Sequence, residues 1–210
     1  MYNPPDFAQD DLSLLHDAIE AAGLGILVTM GPEGPEASHV PMLLDRAEGA
    51  RGTLSGHLAR ANPQGRRFDP TVPALAIFQG RDAYVSPSWY PTKAATGKVV
   101  PTWNYVAIHA YGRLETFEDA AGLRRLVERL TDRHEAGRPA PWAVSDAPED
   151  YIDAMLKGIV GFRLPIDRLE GQWKLSQNKN PADRAGVAEG LAAEGGADRT
   201  ALAALMNRPR

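Results

Sequence analysis

Residues 99–116 constrain the fold most strongly, because they read as one long β-strand whose two sides differ in chemistry. Successive side chains of a strand point to opposite faces. The even-numbered side is small and mostly apolar, which suits a barrel interior: Val100, Thr102, Asn104, Val106, Ile108, Ala110 and Leu114. The odd-numbered side is aromatic: Trp103, Tyr105, His109 and Tyr111. Such a side is not a typical solvent face, so we predict that it lies under a helix, a ligand or another subunit.

The remaining segments predict more strands than helices. A hairpin over residues 26–44 and strands at 52–58, 73–79 and 160–175 are joined by short turns, with an edge or bulge expected near Asp167 and Arg168. Helices are expected after Asp10 and Asp11, at 59–68, from Asp119 to about 134, at 151–157, from Asn180 to about 193 and at 198–207. This pattern predicts a mainly β (α+β) fold, an antiparallel β-barrel with flanking helices.

Bulk composition excludes several function classes. The 210 residues, 43% of them hydrophobic, suffice for one substantial core. The net charge of −4 gives no general attraction to polyanions, and no helix-turn-helix is recognisable, so DNA binding is possible but unsupported. The absence of cysteine excludes disulfides and thiolate chemistry. No signal segment or membrane span is recognisable, so we expect a cytoplasmic protein that is not membrane-bound.

The stretch 84–105 is the expected working surface. It holds two aromatic-polar clusters, 86–90 and 101–105, joined by a loop with Lys93 and Lys98. Flat apolar faces beside short hydrogen-bonding groups suit a planar ligand with polar edges. The alternative is an aromatic mini-core that pins a loop.

Two further stretches could bind an anion, whereas the common catalytic motifs are absent and no general acid or base stands out. The histidines at 16, 39, 57, 109 and 134 lack close metal-ligand spacing, so no metal site is predicted. At 55–62 a strand runs into an expected helix N-terminus that carries His57, Arg60 and Asn62, a combination that suits phosphate. At 171–178, Lys174 could neutralise an anion while Ser176, Gln177 and Asn178 bond polar ring edges. The alternatives are an ordinary strand-to-helix corner and a capped turn.

The motifs that carry a family resemblance occur in the same order as in that family: Met1-Tyr2-x-Pro-x-x-Phe7, Ser38-His39-Val40-Pro41, Gly56-His57-x-Ala59-Arg60-Ala61-Asn62-Pro63-Gln64, Tyr84 to Tyr90, Val100 to Tyr105 and Trp173 to Asn178. From residue 1 to about 191 the chain resembles the PaiB-type FMN-binding proteins, a family also labelled negative transcriptional regulators. The resemblance implies the FMN-binding split barrel, an antiparallel Greek-key barrel related to pyridoxamine-phosphate oxidases. It also implies a homodimer with FMN at the subunit interface.

Site residues follow from the resemblance by analogy. His57, Arg60 and Asn62 would hold the phosphate. Lys174, Ser176 and Gln177 would approach the cofactor or substrate pocket, and Trp103 would pack near the ring. Residues 1–191 would form a single domain, and 192–210 would form a helical tail outside the resemblance.

Three functions remain open at this point. The first is a regulator or low-activity flavoprotein that binds FMN. The second is an FMN-dependent oxidoreductase that uses NAD(P)H on a small metabolite. The third is a sensor that binds a small molecule or haem in the same pocket without redox chemistry.

Overall fold

The computed structural model describes residues 1–207, which group into two compact units. The first unit contains Met1–Asp11, Gln79–Ile108 and the chain from Glu170 onward, and the second contains Leu12–Phe78 and His109–Leu169. Of the expected tail at 192–210, residues 192–207 belong to the first unit, and 208–210 lie outside the described residues. The single domain over 1–191 stays a prediction.

The regular elements account for most of the chain. The strands are β1 Ala8–Gln9, β2 Leu24–Gly31, β3 Gly34–Pro41, β4 Leu43–Asp45, β5 Thr53–Ala59, β6 Ala74–Val85, β7 Thr102–Gly112, β8 Glu115–Phe117, β9 Ile159–Pro165 and β10 Arg168–Lys174. The helices are α1 Leu12–Ala22, α2 Gln64–Arg67, α3 Pro91–Thr96, α4 Ala120–Glu135, α5 Glu149–Leu156, α6 Pro181–Glu194 and α7 Ala197–Met206. The division between the two units falls inside β6 and inside β7.

The first unit contains a sheet in the order β1, β10, β7 and the second part of β6. β1 and β10 are antiparallel, with Ala8 opposite Gln172. A buried apolar cluster joins this part of the chain to α6 and α7: Ala83, Val85, Tyr90, Leu175, Val187, Ala188, Leu191, Leu202, Ala203 and Met206. The last helix is therefore a packed element of the core rather than a loose tail.

The second unit contains antiparallel strands and the helices α1, α2, α4 and α5. β3 pairs with β2, and β2 pairs with the first part of β6. A second sheet has the order β4, β5, β9 and β8. A cluster of Leu123, Val144, Ile152 and Leu156 packs α4 against α5 and the segment before it.

The predicted alternation of β7 is confirmed. The even positions from Asn104 to Gly112 are all buried, whereas Trp103 is exposed and the other odd positions are only partly buried. The caps are also confirmed: Asp119 Oδ1 accepts from the Gly122 N–H at 2.7 Å, and Asn180 Oδ1 accepts from the Asp183 N–H at 2.8 Å. Both side chains replace a bond that the first helical turn cannot make for itself.

Two predicted elements differ from the structure. The helix expected over 59–68 is only the single turn α2, because β5 continues to Ala59 and Pro63 occupies the N-cap position. The strand expected over 160–175 is two strands, β9 and β10, in different sheets. Pro165 cannot donate to a ladder, and the chain leaves the sheet there, so the parity switch marks a break rather than a bulge.

Two glycines bring α6 unusually close to the turn at 87–89. A Cβ at Gly186 would lie 2.1 Å from the Trp89 carbonyl oxygen, and one at Gly190 would lie 2.4 Å from the Trp89 ring. Because the two glycines are four residues apart, they face the same side of the helix. Trp89 therefore fills a groove that exists only where α6 has no side chains.

Membrane-spanning capacity can be judged from helix length and hydropathy. Within residues 1–207, no helix is both long enough and apolar enough to cross a bilayer.

Candidate functional site

A cavity of about 200 Å³ lies in the first unit, between the start of β7 and the turn that follows β10. We call it the lysine cavity; it is lined by Val100, Pro101, Thr102, Asn104, Lys174, Ser176, Asn178 and Lys179. This lining carries two ammonium groups, two hydroxyls and two side-chain amides, and it contains no carboxylate. The composition suits an anion that accepts several hydrogen bonds.

Lys174 is the central cation of the cavity. Its Nζ donates to Thr102 Oγ1 at 2.6 Å and to the Trp103 carbonyl oxygen at 2.7 Å. Burial lowers the pKa of Lys174 from its ordinary value, and the like charge of Lys179 lowers it further. Both of these partners are neutral acceptors, so the ammonium of Lys174 is hydrogen-bonded but its charge is not neutralised.

Ser176 has a backbone conformation that requires support. Its φ is +61°, the only positive φ at a non-glycine position among the described residues. That left-handed conformation costs about 1–3 kcal/mol for a residue with a side chain, and such residues cluster at functional sites. The buried Ser176 hydroxyl donates to Asn104 Oδ1 at 3.0 Å, and Asn104 is itself fully buried. The polar pair thus fixes the turn that closes one end of the cavity.

Gln177 shapes the same turn. Its Oε1 accepts from the Leu175 N–H at 2.7 Å, and its Nε2 donates to the Trp173 carbonyl oxygen. With both side-chain atoms bonded to nearby backbone, Gln177 holds the turn after β10 in shape. Its predicted contact with a ligand stays a prediction.

An exposed aromatic face lies on the other side of β7, because Trp103 and Tyr105 alternate with Thr102 and Asn104. Trp103 is 52% exposed and meets Tyr84 edge to face, with 6.0 Å between ring centroids. The Tyr105 hydroxyl donates to Gln172 Oε1 at 2.8 Å. Lys174 Nζ lies 5.7 Å from the Tyr105 ring centroid, so this ammonium adjoins both the cavity and the aromatic face.

The other predicted residues, His57, Arg60 and Asn62, lie in the second unit. Arg60 forms an ion pair with Glu118 at 2.6 Å, and its other nitrogens donate to the carbonyl oxygens of Lys157 and Ile159. Asn62 Nδ2 donates to Ser38 Oγ at 2.9 Å and its Oδ1 accepts from the Gln64 N–H at 3.0 Å.

His57, Arg60 and Asn62 have fewer polar atoms left to bind an anion than the sequence indicated, because Arg60 and Asn62 already bond within the chain. Nδ1 of His57 is buried without a partner among the described residues, and burial lowers the pKa of this imidazole. Because α2 is a single turn, it offers no extended helix N-terminus to an anion. The assignment of these residues to a phosphate stays a prediction.

The structure therefore brings Lys174 and Ser176 into one cavity with Gln177 in its supporting turn, and it places the Trp103 ring on the adjoining face. The residue-level assignments omit Thr102, Asn104 and Lys179, although the first two lie in the cluster 101–105 of the expected working surface. A signal for the first two was present, since they are the polar members of the otherwise apolar side of β7. No pattern in the sequence around Lys179 indicated that it lines the cavity.

A larger groove of about 390 Å³ in the second unit has a different character. Its lining mixes four carboxylates with three arginines: Asp45, Glu48, Glu115, Asp119, Arg125, Arg129 and Arg163. Arg163 contacts Glu48, and Arg129 lies 3.5 Å from Asp45, so much of this charge is compensated within the chain. Size alone does not make this groove the better anion site, because its opposite charges nearly cancel and carboxylates are in excess.

Comparison with solved structures identifies the class of fold. The structure of an FAD and haem binding protein from Mycobacterium smegmatis superposes with a TM-score of 0.57, at 18% identity, over 91% of this chain and 82% of that one. At this identity the likeness concerns the fold alone. It agrees with the predicted class, a split-barrel α+β fold of antiparallel strands with flanking helices, which is confirmed.

Sequence comparison identifies the family. The profile described as "Putative FMN-binding domain" matches residues 1–168. Protease synthase and sporulation protein PAI 2 of Bacillus subtilis is 32% identical over 209 residues, covering 98% of this chain and 96% of that protein. An uncharacterised protein of Aspergillus fumigatus is 36% identical over 236 residues, covering 91% and 90%. The chain belongs to this FMN-binding domain family, so the predicted PaiB-type resemblance is confirmed.

Proposed function

We propose that this chain binds FMN, with the cofactor's phosphate in the lysine cavity and its ring system against the aromatic face of Trp103, Tyr105 and Tyr84. The observation that carries the proposal is the lining of the cavity: two lysines, hydroxyls and amides without any carboxylate. Membership of the FMN-binding domain family supports the identity of the ligand.

The residues present fit the anionic end of this cofactor. Lys174 and Lys179 supply charge, Thr102 and Ser176 supply hydroxyls, and Asn178 supplies an amide. Nearby, Lys179 Nζ lies 5.2 Å from the ring centroid of Tyr90, whose buried hydroxyl lacks a partner among the described residues. A buried polar atom without a partner is unfavourable unless another group or water satisfies it.

The size of the cavity limits which part of FMN it can enclose. Pockets that enclose drug-sized ligands have volumes of about 300–1,000 Å³, and the lysine cavity has about 200 Å³. The phosphate end fits this volume, whereas the ring system needs a surface outside it. The half-exposed Trp103 and Tyr84 side chains offer that surface.

The proposal includes a homodimer, in which a second copy of the chain covers the aromatic side of β7. The odd-numbered side of β7 is aromatic yet only partly covered by its own chain, which is unusual for a soluble monomer. A second copy that packs there would enclose the ring system between subunits, as the family resemblance implies.

In the cell we propose a PaiB-type regulator or low-activity flavoprotein. The bound flavin would supply any hydride or electron transfer, while the chain supplies binding, orientation and electrostatics. The described lining of the cavity contains neither a histidine nor a carboxylate to act as general acid or base. The similarity to PAI 2 extends over nearly the full length of both chains, which supports the PaiB-type assignment within this proposal.

An FMN titration of the purified full-length protein tests the binding proposal. Saturable quenching of flavin fluorescence, with a matching rise in melting temperature, is the expected result. Absence of both would contradict it. A Soret band in the purified protein would instead favour the haem-binding sensor, and bleaching of bound FMN by NAD(P)H would favour the oxidoreductase.

A further inference from the structure

The last helix, α7, contacts the wall of the lysine cavity through Met206. Asn104 Nδ2 donates to the Met206 sulfur at 3.5 Å, and Met206 is 2% exposed. Asn104 lines the cavity and accepts from Ser176 through its Oδ1. A chain of contacts therefore runs from α7 through one buried amide to the strained Ser176. This helix lies outside residues 1–168, the part matched by the family profile.

Both ends of α7 are held to the first unit. Arg81 pairs with Asp198 in the first turn of the helix at 2.8 Å. At the other end Arg184 donates to the carbonyl oxygen of Met206 itself. Between these ends, Leu202 and Ala203 are buried with Met206 in the apolar cluster. Because the backbone at Met206 is bonded and its side chain is packed, the sulfur has a defined position.

The buried amide of Asn104 needs this contact to keep one orientation. Its nitrogen carries two protons, and thioether sulfur is a weak acceptor that satisfies one of them. Among the described residues, the other proton has no acceptor. If the sulfur were absent, nothing would favour the present orientation of the amide, and a rotated amide would present Nδ2 instead of Oδ1 to Ser176, whose hydroxyl would then have to accept rather than donate.

We propose that Met206 is a positioning residue of the binding site: it orients the buried Asn104 amide so that Oδ1 accepts from Ser176 in the turn that closes the lysine cavity. The proposal rests on the proposed function, because the ligand is the phosphate end of FMN. The helix that carries Met206 is accordingly part of the binding site.

Two substitutions at position 206 separate positioning from packing. Met206→Leu keeps an apolar side chain of similar size but removes the acceptor, so stability should fall only by the contribution of that weak hydrogen bond. Met206→Gln keeps an acceptor at similar reach but buries a polar amide, so it should lower the melting temperature. If Met206 only packs, FMN affinity follows stability, and Met206→Leu binds FMN more tightly than Met206→Gln.

Positioning predicts the reverse order of affinities. We expect Met206→Leu to weaken FMN binding about three- to tenfold, the range of one neutral hydrogen bond, and Met206→Gln to bind more tightly than Met206→Leu per folded molecule. Asn104→Ala combined with Met206→Leu should bind no more weakly than Asn104→Ala alone, because the two residues act through one amide. Leu202→Ala, the matched control in the same helix, should lower stability without changing affinity per folded site.

Affinities that rank with stability, or additive effects in the double variant, would overturn the proposal while leaving FMN binding intact. If the wild-type protein does not bind FMN, the proposed function fails instead. The positioning role is then decided in the unliganded protein by hydrogen exchange at the backbone amides of residues 176–178. Met206→Leu should reduce their protection and Met206→Gln should retain it; equal protection in both variants would overturn the role.

Discussion

Two groups of polar residues look alike in the sequence and differ in the structure. Arg60 and Asn62 in the second unit, like Lys174 and Ser176 in the first, combine a cation with hydrogen-bonding groups beside a strand. Arg60 is neutralised by Glu118 and bonded to two carbonyl oxygens, whereas Lys174 contacts only neutral acceptors. The comparison teaches that an anion site depends on uncompensated charge and free bonding capacity more than on residue type.

The largest expected effect comes from Lys174→Met, which removes the central cation of the lysine cavity. Because a hydrogen bond to a charged group contributes about 1.5–3 kcal/mol, FMN affinity should fall roughly 10- to 100-fold. Isothermal titration of the folded variant measures it. The control is Lys98→Met, an exposed lysine of the same unit outside the cavity lining, which should bind as the wild type does. Equal losses in both variants would show that general charge, not this cavity, attracts the ligand.

The next effect is on stability and concerns the second unit. Arg60→Met removes one ion pair and the donors to the carbonyl oxygens of Lys157 and Ile159. We expect a loss of about 1 kcal/mol in the free energy of unfolding, since the side chain is partly exposed and its ion pair is screened. Chemical denaturation measures the loss, with the exposed Arg67→Met as control. If Arg60→Met instead abolishes FMN binding in folded protein, the phosphate site predicted at His57, Arg60 and Asn62 gains direct support.

A smaller effect is expected for the aromatic face. Trp103→Ala should weaken FMN binding about three- to tenfold, the range of an aromatic contact of about 0.5–1.5 kcal/mol. The wild type should be a dimer by light scattering, and the variant should dissociate at higher concentration. If the variant becomes monomeric but keeps its affinity per folded site, Trp103 serves the subunit contact alone and the ring system must lie elsewhere.

The smallest effect is the pH dependence of phosphate binding. Burial and Lys179 lower the pKa of Lys174 in the unliganded chain, and a bound phosphate favours the ammonium and so raises that pKa. Affinity is therefore complete below the lowered pKa and falls as pH rises through the interval between the free and bound values. For one proton the fall is at most about tenfold per pH unit. Titration with inorganic phosphate measures it, and Lys174→Met should flatten the curve. Affinity that rises through this interval would exclude Lys174 as the phosphate ligand.

The sequence predicted the features that depend on neighbours along the chain. The alternation of β7 follows from the period of a strand, and Asp119 and Asn180 cap helices that begin immediately after them. Lys174 and Ser176 lie within one short motif and line one cavity, and their role in binding stays a prediction.

The features that were missed depend on distant contacts. Arg60 is occupied by carbonyl oxygens 97 and 99 residues away in sequence, and Asn104 meets Met206 across 102 residues. The separation of β9 from β10 is likewise set by the sheets that each strand joins. No local pattern in the sequence encodes such pairings.

The groove in α6 predicts that positions 89 and 190, which are far apart in the sequence, vary together in evolution. Trp89 lies against the bare backbone at Gly186 and Gly190, where a Cβ would come within 2.1–2.4 Å of Trp89 atoms. A relative with a larger residue at the position of Gly190 therefore has no room for tryptophan at the position of Trp89. Across the family, side-chain volume at these positions should vary inversely, and the pair should be recognisable by covariation before either residue is tested.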